Sequence, residues 1–168
     1  DPYWRTGYDH GHICPSADRL GSAEANYQTF FLTNMQPQVN GFNAYVWANM
    51  EKQLRIWDRD DFRDTLYICK GGTIDKQNQI LTRTSKGLIV PKYFYMAILC
   101  KNKSGYKALG FWIEHEANDD TDLGKYVVSI QELERKTGID FFCNLPDNIE
   151  RRVESLPTDK VKLAWGLR

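Results

Sequence analysis

Tyr8-Asp9-His10-Gly11-His12-Ile13-Cys14-Pro15-Ser16-Ala17-Asp18-Arg19 places two of the chain's three histidines within three positions, in a setting punctuated by glycine and proline. Histidine changes charge near neutral pH, so such a pair beside carboxylates is a candidate for proton transfer. Blander roles stay open. Close histidines in a loop are commonly structural or solvated, and His10 with His12 could begin a zinc site, although no further Cys or His stands at a useful spacing. Downstream come Phe31-Leu32-Thr33-Asn34-Met35-Gln36-Pro37-Gln38, then Gly41-Phe42-Asn43, Trp47, Glu51 and Arg55. Asn43 can cap a helix, or its side-chain oxygen can face magnesium, which takes oxygen ligands and keeps most of its waters. Glu51 and Arg55 have the i,i+4 spacing of an ordinary helical salt bridge.

Outward from this stretch, residues 1–22 read as irregular. The β-branched and aromatic run Tyr27–Thr33 reads as a strand. From Ala44 to Asp60, Trp47, Met50, Leu54 and Trp57 recur at helical spacing, with Asn43 as the N-cap. Thr65–Cys69 reads as a strand closed by a Gly71-Gly72 turn. Tyr93–Leu99 and Lys107–Glu114, joined by the polar Lys101–Gly105, form a hairpin. Short helices follow at Ile130–Thr137, stopped by Gly138, and at Pro146–Ser155. The sum is α+β: a mostly antiparallel sheet flanked by helices. His115, between Glu114 and Glu116, reads as a solvated histidine, and Asp119-Asp120-Thr121-Asp122 as an acidic turn.

The 168 residues, 42% of them hydrophobic, suffice for a core, and we expect one domain over 1–168. Twenty-two basic residues balance twenty-two acidic ones, which excludes binding of nucleic acid through a global positive field. Contact with a polyanion would need a local basic cluster. No apolar run reaches the roughly 20 residues of a membrane helix, so no membrane partner is expected. The four cysteines form no C-x-x-C, and two disulfides or free thiols are both compatible with them. No signal peptide opens the chain at Asp1-Pro2-Tyr3, though processing could have removed one.

In order and spacing these motifs resemble the DNA/RNA non-specific endonucleases, the ββα-metal nucleases that include secreted bacterial enzymes and mitochondrial endonuclease G. The family's Tyr-Asp-Arg-Gly-His-x-x-Pro-x-x-Asp stands here as Tyr8 to Asp18. Its aromatic-Leu-Ser/Thr-Asn-Met-x-Pro-Gln is similar to Phe31–Gln38, and its Asn-x-x-x-Trp-x-x-x-Glu to Asn43, Trp47 and Glu51. Its Glu-x-x-Thr-Gly-x-x-Phe segment resembles the stretch ending at Phe141.

The resemblance implies a ββα-metal site and magnesium-dependent hydrolysis of DNA and RNA without sequence preference, with manganese able to substitute. His12 would be the general base and Asn43 the direct metal ligand. Glu51 would act on the metal through water, as a spacing of about 12 Å along an ideal helix also suggests. Arg55 would contact phosphate or the leaving group, and Asn34 would help position His12 or the phosphate. Asp9 would anchor the loop. Products would carry 5′ phosphates, and the setting implied is secreted or periplasmic.

Two departures stand out. His10 occupies the place of the hallmark arginine, which implies weaker phosphate binding, or compensation by Arg19, Arg5 or Arg55, and an optimum at lower pH. The family's usual early strands do not precede the motif in these 168 residues. Two other classes compete: a module that binds nucleic acid without cutting, which salt-sensitive binding alone would reveal, and a phosphodiesterase for small nucleotides or lipid head groups, which would cut a chromogenic diester but not plasmid.

Overall fold

The segment expected to be irregular contains a strand: β1 (Asp9–His12) pairs antiparallel with β2 (Met35–Gln38), His12 opposite Met35. This is seen in the computed structural model, which describes residues 1–168. Gly11 is required in that ribbon, because a Cβ there would run into the Gln38 side chain.

The strand expected over Tyr27–Thr33 is not formed. Its place is taken by α1 (Ala23–Gln28) and a 3₁₀ turn over Leu32–Asn34. The reason is local. Ser22 accepts from the Ala25 N–H at 3.1 Å and starts a helix, and Tyr27, Phe30 and Phe31 then stay exposed instead of packing as one face of a sheet.

The helix expected from Ala44 begins earlier, as a π-helical turn over Phe42–Trp47 that continues into α2 (Ala48–Trp57). Asn43 lies inside this turn and does not cap it. The Asn118 backbone explains the wide turn: its N–H donates to the Gly41 carbonyl and its carbonyl accepts from Val46 N, both at 3.1 Å. It thus stands between the two groups a π turn would bond to each other. Trp47, Met50, Leu54 and Trp57 are buried, as the helical spacing predicts.

β3 (Thr65–Gly72) runs straight through the glycine pair expected to turn. Gly72 N donates to Gln36 Oε1 at 2.6 Å, and a Cβ there would meet that oxygen and the Pro91 ring. β4 (Ile80–Arg83) and β5 (Ile89–Pro91) pair antiparallel. The expected hairpin is present as β6 (Tyr93–Asn102) and β7 (Gly105–Glu114), and β8 (Val127–Val128) completes a sheet of order β3-β6-β7-β8. α3 (Ile130–Thr137) is capped by Ser129 and stopped by Gly138 at φ 76°, a left-handed conformation that suits glycine. α4 (Asp147–Glu154) matches the expected second helix, and α5 (Thr158–Trp165) was not foreseen. The class is α+β. No helix is long and apolar enough to cross a membrane. All four cysteines are free thiols.

Two compact units emerge. One comprises Asp1–Arg55, Lys70–Phe94 and Glu114–Thr121, and its core includes Phe42, Trp47, Met50 and Phe94. The other comprises Ile56–Cys69, Tyr95–Ile113 and Asp122–Arg168, with Leu99, Ala108, Leu133 and Phe141 in its core. His115 is not solvated as expected. It is 3% exposed and packs edge-on to Phe42 and Phe94 in the first core. Its Nε2 accepts from Val39 N at 2.8 Å while Nδ1 lies 2.8 Å from the Pro91 carbonyl, so the ring is the neutral Nδ1–H form. Burial pushes its pKa down in keeping with that.

Candidate active site

Every residue picked out from the sequence as a site residue falls in the first unit. β1 presents His10 and His12 on one face and Asp9 and Gly11 on the other. His12 Nε2 is buried and has no hydrogen-bond partner, and the His10 backbone carbonyl lies beside the ring. That arrangement leaves the Nε2 lone pair free to take a proton. Burial lowers the His12 pKa; the His10 backbone carbonyl opposes this, and the nearby His10 ring adds a smaller lowering. The Phe30 ring meets His12 edge-on at 5.3 Å, and Trp47 Nε1 donates to the His12 carbonyl at 3.3 Å.

On the opposite face of β1, Asp9 Oδ2 accepts from the side-chain amides of Asn40 and Asn43, each at 3.0 Å. The bond fixes which end of the Asn43 amide is which: nitrogen toward Asp9, oxygen left for another ligand. Asn43 owes its position to the π turn, and the turn rests on Val39, whose carbonyl accepts from Phe42 N and Asn43 N at 2.9 Å. Val39 N is the group that His115 accepts from, so the buried histidine underpins Asn43.

Asn34 acts on backbone. Its Nδ2 donates to the carbonyls of Cys14 and Thr29, and its Oδ1 accepts from Cys14 N, at 2.8 to 2.9 Å. Its own carbonyl accepts from Ile13 N. The side chain therefore clasps the chain directly after His12.

Glu51, on α2, does not form the expected bridge to Arg55. Arg55 Nη1 lies 2.9 Å from Asp18 Oδ1. Glu51 is buried next to Lys70 of β3, Oε1 to Nζ 3.9 Å, with the two side chains 12% and 7% exposed. Burial raises the Glu51 carboxyl to about 7, against the opposing pull of Lys70 and Arg55. Burial likewise lowers the Lys70 ammonium. Lys70 and His115 are the residues that sequence reasoning missed. The signal for Lys70 was a lone charge in the otherwise uncharged stretch Thr65–Gly72.

The residues around His10 are arranged differently from those around His12. His10 Nε2 is 3.1 Å from an Asp1 carboxylate oxygen and its ring lies 4.4 Å from that of Tyr3. Arg5 sits at φ 60° with its guanidinium over Trp4, and Arg19 is exposed just beyond the Ser16–Asp18 turn. No three His, Cys, Asp or Glu side chains gather into a metal cluster. The side-chain oxygens that could hold a metal are one amide oxygen, on Asn43, and one buried carboxylate, on Glu51. That set suits a hard cation that keeps its own waters.

The family model described as DNA/RNA non-specific endonuclease matches residues 1–148. A nuclease of Nostoc sp. is 34% identical over 163 residues, covering 91% of this chain and 57% of that protein. The mitochondrial nuclease of Saccharomyces cerevisiae is 32% identical, covering 86% of this chain and 49% of its own length. Human mitochondrial endonuclease G is 27% identical, with coverages of 85% and 51%. The chain thus spans about half the length of these curated relatives. The solved complex of EndoG with EndoGI aligns with a TM-score of 0.74 at 23% identity, over 86% of this chain and 63% of that one, a likeness of fold.

Proposed function

Because the chain belongs to the DNA/RNA non-specific endonuclease family, we propose that it is a single-domain phosphodiester hydrolase that cuts DNA and RNA without sequence preference. The observation that carries this reading is β1 itself. One four-residue strand supplies His12 with a free Nε2 and Asp9, which turns the Asn43 oxygen outward. His12 takes the proton of the attacking water at Nε2. The His10 carbonyl beside the ring favours its charged form as charge develops on it. Arg55, steered by Asp18, faces the phosphate or leaving group, and His10 and Arg19 add contacts along the backbone of the substrate. Asn34 holds the strand end so that His12 keeps its aim. Magnesium, or manganese in its place, would be held by Asn43 and, through water, by Glu51. When bound it supplies positive charge to offset that building on the phosphate. Export, to the periplasm or medium, completes the reading.

The test is plasmid digestion with and without magnesium, comparing the native chain with His12→Ala. We expect magnesium-dependent loss of supercoiled DNA, reduced about 10²–10⁴-fold in the variant. A native chain that leaves plasmid intact across metals and pH would overturn the proposal. Salt-sensitive binding without cutting would then identify a binding module, and cleavage of a chromogenic diester alone a small-substrate phosphodiesterase.

A further inference from the structure

Lys70 is an unexplained cost in an otherwise economical strand. It is the one charged residue of β3, its side chain is more than nine-tenths buried, and its ammonium nitrogen has no hydrogen-bond partner. An ammonium removed from water without a bonded acceptor is unfavourable, and an apolar side chain of similar size would pack there more cheaply. The nearest anion is the Glu51 carboxylate at 3.9 Å, too far for a hydrogen bond and close enough for strong attraction. Both ends of this pair are fixed. Two residues beyond Lys70, Gly72 N is tied to Gln36, and Thr73 N to the Tyr93 carbonyl at 2.9 Å. Glu51 is borne by α2, one turn after the buried Trp47. Asp18 and Arg55 complete a group of two acids and two bases in the same corner.

We propose that Lys70 is a positioning residue for the hydrolytic reaction: presented rigidly by β3, its charge holds the Glu51 carboxylate in the orientation from which it serves the metal's water. The nearest charged partner of the Lys70 nitrogen is Glu51, and the Lys70 side chain is 7% exposed, so it acts through Glu51. The inference rests on the nuclease reading above.

A double-mutant cycle tests it with the native chain, Lys70→Met, Glu51→Gln and the double variant, each assayed on a labelled oligonucleotide duplex with magnesium. Lys70→Met is expected to lower kcat about 10–100-fold, the usual effect of disturbing a residue behind a metal ligand. KM for DNA should move less than about threefold, as for a group that does not bind substrate. In the Glu51→Gln background the same change should cost no more than about twofold, because its target is already gone. Native-like kcat in Lys70→Met overturns the proposal. So does an equal loss in both backgrounds, which would make Lys70 an independent substrate contact. Should Lys70→Met fail to fold, Lys70→Gln takes its place in the cycle. The same four proteins are melted without metal, where non-additive Tm shifts are expected from a coupled pair and additive shifts refute it. If the native chain cuts nothing, the nuclease reading falls and the role of Lys70 with it, while the melting cycle still reports whether the pair exists.

Discussion

In the unit that carries the candidate site, a histidine sits against Phe42 and Phe94, and the His12 ring, Glu51 and Lys70 are wholly or partly buried, with His12 Nε2 and the Lys70 ammonium unbonded. In the other unit, Ala97, Leu99, Ala108 and Leu133 pack without polar atoms. The indoles there are satisfied by backbone: Trp57 Nε1 donates to the Trp165 carbonyl, and Trp165 Nε1 to that of Ala108, each at 3.2 Å. Trp57 also stacks against Phe62 and Phe111. The difference teaches where each kind of free energy sits. The second unit gains stability from apolar contact, whereas four of the five buried side-chain atoms without a hydrogen-bond partner lie in the first.

Mutations can break or sharpen this contrast. The largest effect is expected from Phe111→Ala, which opens a cavity in the aromatic stack and should lower unfolding free energy by about 3–5 kcal/mol. Urea denaturation measures it, and cleavage per folded molecule should stay native; a slowed turnover would show that the second unit also shapes the chemistry. Asp9→Ala should do the reverse. Without its acceptor the Asn43 amide is free to turn, and cleavage should fall about 10–100-fold, with the magnesium concentration for half-activity rising. Its stability loss should be about 1 kcal/mol, one hydrogen-bonding group's worth. Larger destabilisation with unchanged cleavage would reverse the assignment.

The smallest effect probes the exception in the second unit. Burial and the nearby Glu134, Glu150 and Asp140 raise the Glu154 carboxyl from 4.5 to about 7. Its folded value lies above its unfolded one, so the stability from the neutral form is complete below about 4.5 and is lost as pH rises through about 7. Glu154→Gln should therefore raise Tm progressively from pH 4.5 to 8, on the order of 2 °C at the top because the group is only partly buried and solvent screens it. A shift independent of pH would mean the carboxyl does not titrate there.

The sequence showed the β6–β7 hairpin and α3 because their apolar periodicity and turn residues agree with the packing they adopt. It misled at Tyr27–Thr33, where side chains of strand character face solvent under the control of the Ser22 cap. β1 and β2, four residues each, are too short to show a period, and their pairing is long-range. His12, Asn43 and Glu51 could be picked out by order and spacing. Their partners could not: Asp9 on Asn43, Asp18 on Arg55 and Lys70 by Glu51 are separated by 34, 37 and 19 residues and depend on folding. His115 looked solvated because its neighbours in sequence are glutamates, while its neighbours in space are aromatic.

The π turn at Phe42–Trp47 makes chain length, as well as residue identity, a determinant of the site. Asn118 is seated in a gap that exists because the turn is wound wide. Were the segment one residue shorter, every position of α2 would advance by roughly 100° about its axis. Met50 and Leu54 would swing out of the core and Glu51 would point elsewhere, with no functional side chain changed. The segment can therefore tolerate an exchange of letters far more readily than a change in their number: it acts as a phase-setter, keeping the apolar face of the helix and its single carboxylate in step with β1.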